Sequence, residues 1–211
     1  MKKTLLLSIV AIVSASIVKA QIPKGSIFIG GQISGNTYKY KSSPYPHPQK
    51  QNSIVVSPAI GTAIRQNLIA GIDLTYAHSE NDNGFNGLVK SNGLGGGFFL
   101  RRYTSLANRF YFFLQERAGY FHEKDESTSG SSTNTNQSNN FNLGLYPGVS
   151  FALTRSLHVE AGLNNLVLVN YSHSTNKQPG SPDQTSNNFN FNTSASGTNL
   201  TFALRFIIPK K

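Results

Sequence analysis

The sequence predicts an all-β fold: a closed antiparallel transmembrane up-and-down β-barrel of eight strands. Beyond residue 20 the chain has no apolar run approaching the roughly 20 residues that a membrane helix needs. Several segments instead alternate apolar with small or polar residues, which gives each strand one apolar face. Short and long polar connections also alternate along the chain, which is typical of strands joined in a transmembrane barrel. Together these observations predict that strands, not helices, cross the membrane.

The first 20 residues have the pattern of a cleaved signal peptide. Two lysines precede an apolar run over residues 5–18, and Ala20 ends a cleavage site of small residues. An N-terminal membrane anchor is the alternative, but an apolar core of about 14 residues is short for a membrane-spanning helix. The sequence therefore predicts a signal peptide at 1–20 and an outer membrane β-barrel domain at 21–211.

The predicted mature chain is basic, but its charge is dispersed. Cleavage removes Lys2, Lys3 and Lys19 from the 19 basic residues, which leaves 16 against 9 acidic residues and a formal charge of +7. The basic residues form no stripe or nucleic-acid motif, so we expect no nucleic-acid partner. Anionic outer membrane lipid or lipopolysaccharide is the expected partner instead. The chain has no Cys, which excludes disulfides and a lipid anchor at the cleavage site.

The alternation is clearest over residues 140–153. Its apolar face consists of Phe141, Leu143, Leu145, Pro147, Val149, Phe151 and Leu153. Comparable segments predict the other seven strands, at 27–33, 54–64, 68–78, 93–103, 109–121, 157–171 and 199–206. The inner face of the fifth strand stays open, because 110–114 is apolar throughout and a bulge would exchange the faces of Glu116 and Arg117.

The connections predict the topology. Short turns are expected at 65–67, 104–108 and 154–156. Longer polar loops are expected at 39–51, 79–86, 123–139 and 174–188. Outer membrane barrels have short turns in the periplasm and long loops outside. Both termini are then expected in the periplasm, as an even number of strands requires.

An internal repeat supports the hairpin arrangement. Residues 58–68 align with residues 147–157, with the predicted turn in register. Pro58 and Pro147 lie inside the two repeated strands, although proline cannot donate a ladder hydrogen bond. We expect paired local kinks at these prolines; the alternative is that both strands end there.

These segments resemble the small outer membrane β-barrel proteins of Gram-negative bacteria, the class of outer membrane protein X and the barrel of outer membrane protein A. The matching pieces are residues 57–61, 95–103, 157–161 and 200–206. The resemblance implies assembly by the barrel assembly machinery and carries no shared catalytic residues. The closing strand is similar to the C-terminal assembly signal of such proteins, through Leu200, Phe202, Leu204 and Phe206. It departs from that signal in the five residues that follow the last aromatic residue.

The strand faces place several charges inside the barrel. The predicted ionic cluster of the lumen consists of Asp73, Arg101, Glu116, Glu160 and Arg205, with Arg117 as the alternative to Glu116. Isolated ions would be costly in a narrow lumen, so these groups are expected to pair with one another. Because an eight-stranded interior is just wide enough for side chains to fill, we interpret the cluster as a polar plug. An ion or proton path is the alternative.

No residue pattern points to an enzyme, a metal site or a cofactor. His78, Ser79 and Glu80 contain the residue types of a hydrolase triad, but neighbours in a strand point to opposite faces. The five His residues have no ligand spacing, and no phosphate or dinucleotide motif occurs. We therefore expect no catalysis, no metal and no cofactor.

The sequence thus predicts an integral outer membrane barrel with a structural or surface-interaction role through its extracellular loops. A narrow pore for small solutes or ions is the first alternative. An outer membrane lipid-modifying enzyme is the second, and it requires a Ser–His pair on the outer rim. A soluble secreted barrel of the lipocalin kind is the competing architecture, and it would have apolar residues inside and polar residues outside.

Overall fold

The computed structural model describes residues 21–41, 47–83, 87–129, 132–163, 166–193 and 200–210. The predicted signal peptide at 1–20 lies outside the described residues. Those that are described form ten strands: β1 Ile27–Tyr40, β2 Gln49–Arg65, β3 Leu68–Asp82, β4 Gly87–Ala107, β5 Phe110–Ser129, β6 Ser132–Ala152, β7 Leu157–Leu163, β8 Val167–Lys177, β9 Gln184–Thr193 and β10 Leu200–Ile208. In this part of the chain no helix has the length and hydropathy needed to cross a bilayer.

The ten strands close into an antiparallel barrel with eight strand positions. β1 to β6 pair in chain order. β6 then pairs with β7 over one part of its length and with β8 over the other. β9 pairs with β8, whereas β10 pairs with β7 and with β1. β7 and β8 therefore share one position and β9 and β10 another, and the predicted closed eight-stranded fold is confirmed.

The outer face of the barrel is apolar. Large side chains such as Leu74, Phe98 and Phe202 point away from the lumen, with exposed fractions of 61%, 74% and 75%. Residues on either side of them in the same strands, such as Asp73 and Phe99, point inward and line the lumen. A soluble lipocalin-like barrel would have the opposite arrangement on its exterior.

The buried core lies at the end of the barrel where the short turns are. Its members are mostly inward-facing: Ile22, Phe28, Ala63, Ile69, Phe99, Tyr103, Tyr111, Phe113, Ala152 and Ile207. The segment before β1 is hydrogen-bonded to the turn after β2. Ile22 N donates to Asn67 Oδ1 at 2.8 Å, and Asn67 N donates to Ile22 O at 3.0 Å. Asn67 and Arg109 have φ angles of 59° and 68°, which the tight turns after β2 and β4 require.

The predicted long loops are too long, because strands continue into all four of them. Residues 42–46, 84–86 and 130–131 of these loops lie outside the described residues. β5 continues to Ser129 and β6 begins at Ser132, so most of the polar stretch 123–139 is a paired hairpin. β2 and β3 likewise extend to Lys50↔Asp82, and β8 and β9 to Asn176↔Gln184. The physical reason is that ladder hydrogen bonds come from the backbone, so a loss of apolar side chains ends the apolar band without ending the strand.

The fifth strand has no bulge where one was considered. β5 pairs with β4 in a single register from Tyr111 to Ser129, and the only shift lies near the turn, between Ser105 and Ala107 of β4. The unbroken alternation turns Gln115 and Arg117 inward and Glu116 outward. The placement of Glu116 in the lumen is therefore wrong.

The predicted seventh strand, 157–171, is interrupted, and the eighth position contains an additional strand that the sequence does not predict. β7 ends at Leu163 and β8 begins at Val167, with their registers against β6 offset by two residues. β9 forms the outer part of the eighth position, where the sequence predicts a loop up to residue 188 and no strand before 199. Residues 194–199, between β9 and β10, lie outside the described residues.

The prolines interrupt ladders without ending their strands. At Ser57 and Pro58 the β2–β3 ladder has a gap between Val56↔Tyr76 and Ala59↔Asp73. Pro147 lies in β6 where the partner changes from β7 to β8. The predicted repeat is confirmed in the pairing, since Ala63↔Ile69 and Ala152↔His158 occupy equivalent positions of the two repeated hairpins.

Candidate functional site: the barrel lumen

A buried ionic cluster occupies the turn end of the lumen. Arg101 Nη1 donates to Glu160 Oε2 at 2.6 Å, and the Tyr103 hydroxyl donates to Glu160 Oε1 at 2.7 Å. Arg101 and Glu160 are only 4% and 2% exposed. Gln115 Oε1 accepts a further hydrogen bond from Arg101 Nε at 2.8 Å. The carboxylate and the guanidinium are thus satisfied by each other and by two polar neighbours, as a buried ion pair requires.

Arg205 joins the same carboxylate from β10. Its Nε lies 3.3 Å from Glu160 Oε2, and its Nη1 donates to the backbone oxygen of Gly31 in β1. The absence of a side chain at Gly30 leaves room for the Arg205 side chain, because a Cβ at Gly30 would lie 2.6 Å from Arg205 Cδ. Two guanidinium groups therefore share the single carboxylate of Glu160.

A second ion pair lies apart from this cluster. Arg117 donates to both oxygens of Asp73, at 2.8 Å from Nε and 2.6 Å from Nη2. Its Nη1 donates to Asn142 Oδ1 at 2.8 Å. The bidentate geometry is the strong form of a charge-assisted hydrogen bond. Asp73 is thereby neutralised by Arg117, the predicted alternative to Glu116, rather than by Arg101 or Arg205.

The structure thus divides the five predicted lumen residues. Arg101, Glu160 and Arg205 are brought together in one cluster. Asp73 belongs to a separate pair with Arg117. Glu116 lies on the outer face, where it is paired in register with Leu100 and Leu145.

Sequence reasoning missed Tyr103, although it follows Arg101 by two residues in an alternating strand and so had to share its face. It left Arg117 open, because choosing between Arg117 and Glu116 depended on the absence of a bulge.

Aromatic rings surround the cluster and fill the turn end of the lumen. The Arg101 guanidinium lies 4.4 Å from the centroid of the Phe113 ring and 5.2 Å from that of Phe28. Phe28 also contacts Phe99 edge to face, with centroids 5.6 Å apart. Cation–π contact and aromatic packing add to the ion pairs at this level. A cavity of about 840 Å³ lies next to this packed layer, toward the long hairpins.

Small residues of β4 make room in the lumen, as the sequence predicts for this glycine-rich strand. A Cβ on Gly95 would lie 2.6 Å from Cδ2 of Phe121, and one on Gly97 would lie 2.9 Å from Cζ of Arg117. Alanine at either position would therefore clash with the backbone of β5 as well as with an inward-facing ring or the Arg117–Asp73 pair.

The residues considered for catalysis do not form a hydrolase site. His78 Nδ1 contacts Asn92 Oδ1 at 2.8 Å, and its Nε2 lies 3.9 Å from Glu80. A Ser–His pair does exist between Ser150 and His158 at 3.1 Å, but both are buried at the turn end rather than on the outer rim. Among the described residues, no three His, Cys, Asp or Glu side chains gather to hold a metal ion.

Polar side chains cover the extended hairpins beyond the apolar band. Inside, the Ser91 hydroxyl oxygen lies 2.7 Å from Glu123 Oε1 and 2.5 Å from Asp125 Oδ1, so it contacts both carboxylates. On the outer face, Lys124 Nζ donates to Glu126 Oε1 at 2.6 Å. The pKa of Glu126 lies below its ordinary value, because this hydrogen bond and the charge of Lys124 favour the carboxylate. The hairpin tips thus present fixed charges of both signs.

Fold and lumen together define the class of this chain: a closed eight-stranded antiparallel β-barrel with an apolar exterior and an ionic interior. No family model matches the sequence, and no curated protein matches it. Among solved structures, the chain is similar to one described as the translocator domain of autotransporter NalP from Neisseria meningitidis. The two are 13% identical with a TM-score of 0.49, and the match covers 100% of this chain and 76% of that one.

Proposed function

We propose that this chain is an integral outer membrane β-barrel of the same architectural class as outer membrane protein X, with a structural or surface-interaction role. The observation that carries the proposal is the band of large exposed apolar side chains around the barrel. It includes Ile60, Leu74, Phe98, Phe141 and Phe202, each more than half exposed and each on a different strand. Soluble proteins rarely expose a contiguous apolar surface of this extent, whereas a transmembrane barrel requires one.

The band has a polar boundary toward the long hairpins, which supports an interaction role outside the membrane. The outward face of β5 runs from Phe112 through Tyr120 to Lys124 and Glu126, and the outward face of β2 changes from Ile54 to Asn52. The paired hairpins therefore extend beyond the apolar band as ordered polar surfaces. Lipopolysaccharide and external ligands are the partners that such surfaces would meet, and insertion would use the barrel assembly machinery.

The filled turn end favours a plug over a pore. Arg101, Tyr103 and Glu160 bond across the lumen, and Phe28 and Phe113 pack against them. An ion path would need a wet route through this layer, where the charges are already paired and buried. The proposal therefore includes neither conduction nor catalysis.

Heat modifiability tests the proposal. We expect the protein to be recovered in the outer membrane fraction and to migrate faster on a gel before boiling than after it. Leu74→Arg should reduce the folded fraction, because a charge on the lipid-facing surface costs up to about 2–4 kcal/mol. Asn52→Arg is the matched control, since Asn52 is exposed on the polar extension. A freely soluble protein without a mobility shift would overturn the membrane location, and steady single-channel conductance would overturn the plug.

A further inference from the structure

The wall of the barrel is incompletely paired between β1 and β10. The ladder between these strands consists of Ile27↔Ile208, Phe28↔Ile207 and Ile29↔Phe206. Beyond it, the described residues 30–35 of β1 and 200–205 of β10 form no pairs with one another. On its other side, β1 pairs with β2 along its whole length, from Ile27 to Tyr40. Over these residues the boundary between β1 and β10, here called the seam, has no ladder, whereas the boundary between β1 and β2 is paired throughout.

Exposure along the strands locates this opening. β1 is exposed on both of its faces from Gln32 to Tyr40, and β9 is exposed along its entire length. The inward-facing residues of β2 paired with Gln32 and Ser34, Ser57 and Val55, are partly buried. The missing β1–β10 pairs begin at the same level, so among the described residues the seam is open between 30–35 of β1 and 200–205 of β10.

The lumen communicates with the exterior through the same seam. Its cavity of about 840 Å³ is lined by inward-facing residues such as Phe99 and Arg117. It is also lined by Ile33 on β1 and Phe202 on β10, whose side chains face outward and are about three-quarters exposed. A cavity bordered by both faces of the wall has a lateral mouth, and the residues at this mouth belong to the apolar band.

The lining of the cavity inside this mouth is partly apolar and partly charged, and its net formal charge is positive. The charged residues that line it are three arginines and two carboxylates, which leaves a formal charge of +1: Asp73, Arg101, Arg117, Glu160 and Arg205. Arg117 is neutralised by Asp73, whereas Arg101 and Arg205 share the single carboxylate of Glu160 at 2.6 Å and 3.3 Å. The excess positive charge therefore belongs to this pair of arginines, and mainly to the more distant Arg205. Arg205 also bonds the backbone oxygen of Gly31, at the foot of the opening. The rest of the lining includes the rings of Phe28, Phe99, Phe113 and Phe121.

We propose that the β1–β10 seam is a side entrance from the membrane, through which a single-chain anionic amphiphile of the fatty-acid class enters and binds with its head group at Arg205. The inference rests on the proposed membrane location. An acyl chain matches the apolar mouth and the aromatic lining, and an anionic head group matches the excess charge of Arg205. The cavity volume falls within the 300–1,000 Å³ or so that is typical of small-molecule sites.

The open seam can be tested by disulfide formation, since the chain has no cysteine of its own. Ile29→Cys with Phe206→Cys places two thiols at a paired position and should oxidise readily. Ile33→Cys with Phe202→Cys places them where the same register would pair them if the ladder continued, and this pair should stay reduced. Equal oxidation of both pairs would show a closed seam and overturn the side entrance.

Binding can be tested with palmitate and methyl palmitate on protein refolded into lipid nanodiscs. Palmitate should bind at least about tenfold more tightly than the ester, because only the acid carries a charge for Arg205. Arg205→Gln should weaken palmitate binding about tenfold and leave the ester unchanged. Arg102→Gln removes the same charge from an exposed position outside the lumen and should have no effect.

Two results would overturn the ligand assignment: equal binding of acid and ester, or equal effects of the two arginine variants. The gel mobility shift of each sample separates this inference from the proposed function. A protein that shows the shift but does not bind palmitate refutes the amphiphile site alone. A wild-type protein without the shift refutes the membrane barrel itself.

Discussion

Glu160→Gln should strongly destabilise the barrel, because Glu160 is the carboxylate that two guanidinium groups share. The substitution keeps the size of the side chain and removes its negative charge. Arg101 would lose a charge-assisted hydrogen bond of 2.6 Å, and Arg205 would lose one of 3.3 Å. The hydroxyl of Tyr103 could still donate to the amide oxygen. The change therefore isolates the charge from the packing.

The expected cost follows from burial. Removing one partner of a buried ion pair costs about 3–5 kcal/mol, because the other charge stays buried without compensation. Arg101 is 4% exposed and cannot turn to solvent without disrupting its contacts with Phe28 and Phe113. An exposed pair is worth about 1 kcal/mol at most. The matched control is therefore Glu80→Gln, since Glu80 lies 3.3 Å from Lys90 with both side chains more than one-third exposed.

Urea titration in lipid vesicles measures both variants. Folding can be followed by tyrosine fluorescence, since the chain has nine Tyr and no Trp, or by the fraction that keeps the unboiled gel mobility. Arg101→Gln combined with Glu160→Gln should recover part of the loss, because the pair is then removed together. A Glu160→Gln variant as stable as Glu80→Gln would refute a buried, dry ion pair and indicate that water enters the cluster.

Two further predictions concern charges on the outer face of β5. Glu116→Leu should stabilise the folded protein in vesicles by about 1–2 kcal/mol, since a carboxylate facing lipid is unfavourable. Ala118→Leu is the control, because it adds apolar area without removing a charge. A destabilised Glu116→Leu protein would instead show that Glu116 binds a partner. Glu126 should protonate at a lower pH than an ordinary glutamate, and Lys124→Gln should raise the pH midpoint of this protonation. An NMR titration of the Glu126 carboxyl resonance measures both midpoints. An unchanged midpoint in the variant would contradict the hydrogen bond from Lys124.

Much of the architecture follows from local sequence periodicity. Period two assigns Phe141, Leu143 and Val149 to one face and their neighbours to the other, because successive side chains in a strand point in opposite directions. The same rule turns Asp73, Arg101, Glu160 and Arg205 inward. It fails for Glu116 only because an apolar run beside it made a bulge plausible, and no local pattern distinguishes a bulged strand from a regular one.

Local patterns predict eight strands, most of their faces and their hairpin order, because these features depend on residues close together in the chain; they do not predict β9 or the break between β7 and β8. The tertiary structure decided which charges meet, since Arg101 and Glu160 are 59 residues apart and their contact depends on the register of every strand between them. It also decided that the polar stretches continue as paired hairpins, because backbone ladders do not depend on side-chain polarity. No local pattern predicts the open seam, because β1 and β10 lie at opposite ends of the chain and become neighbours only when the barrel closes.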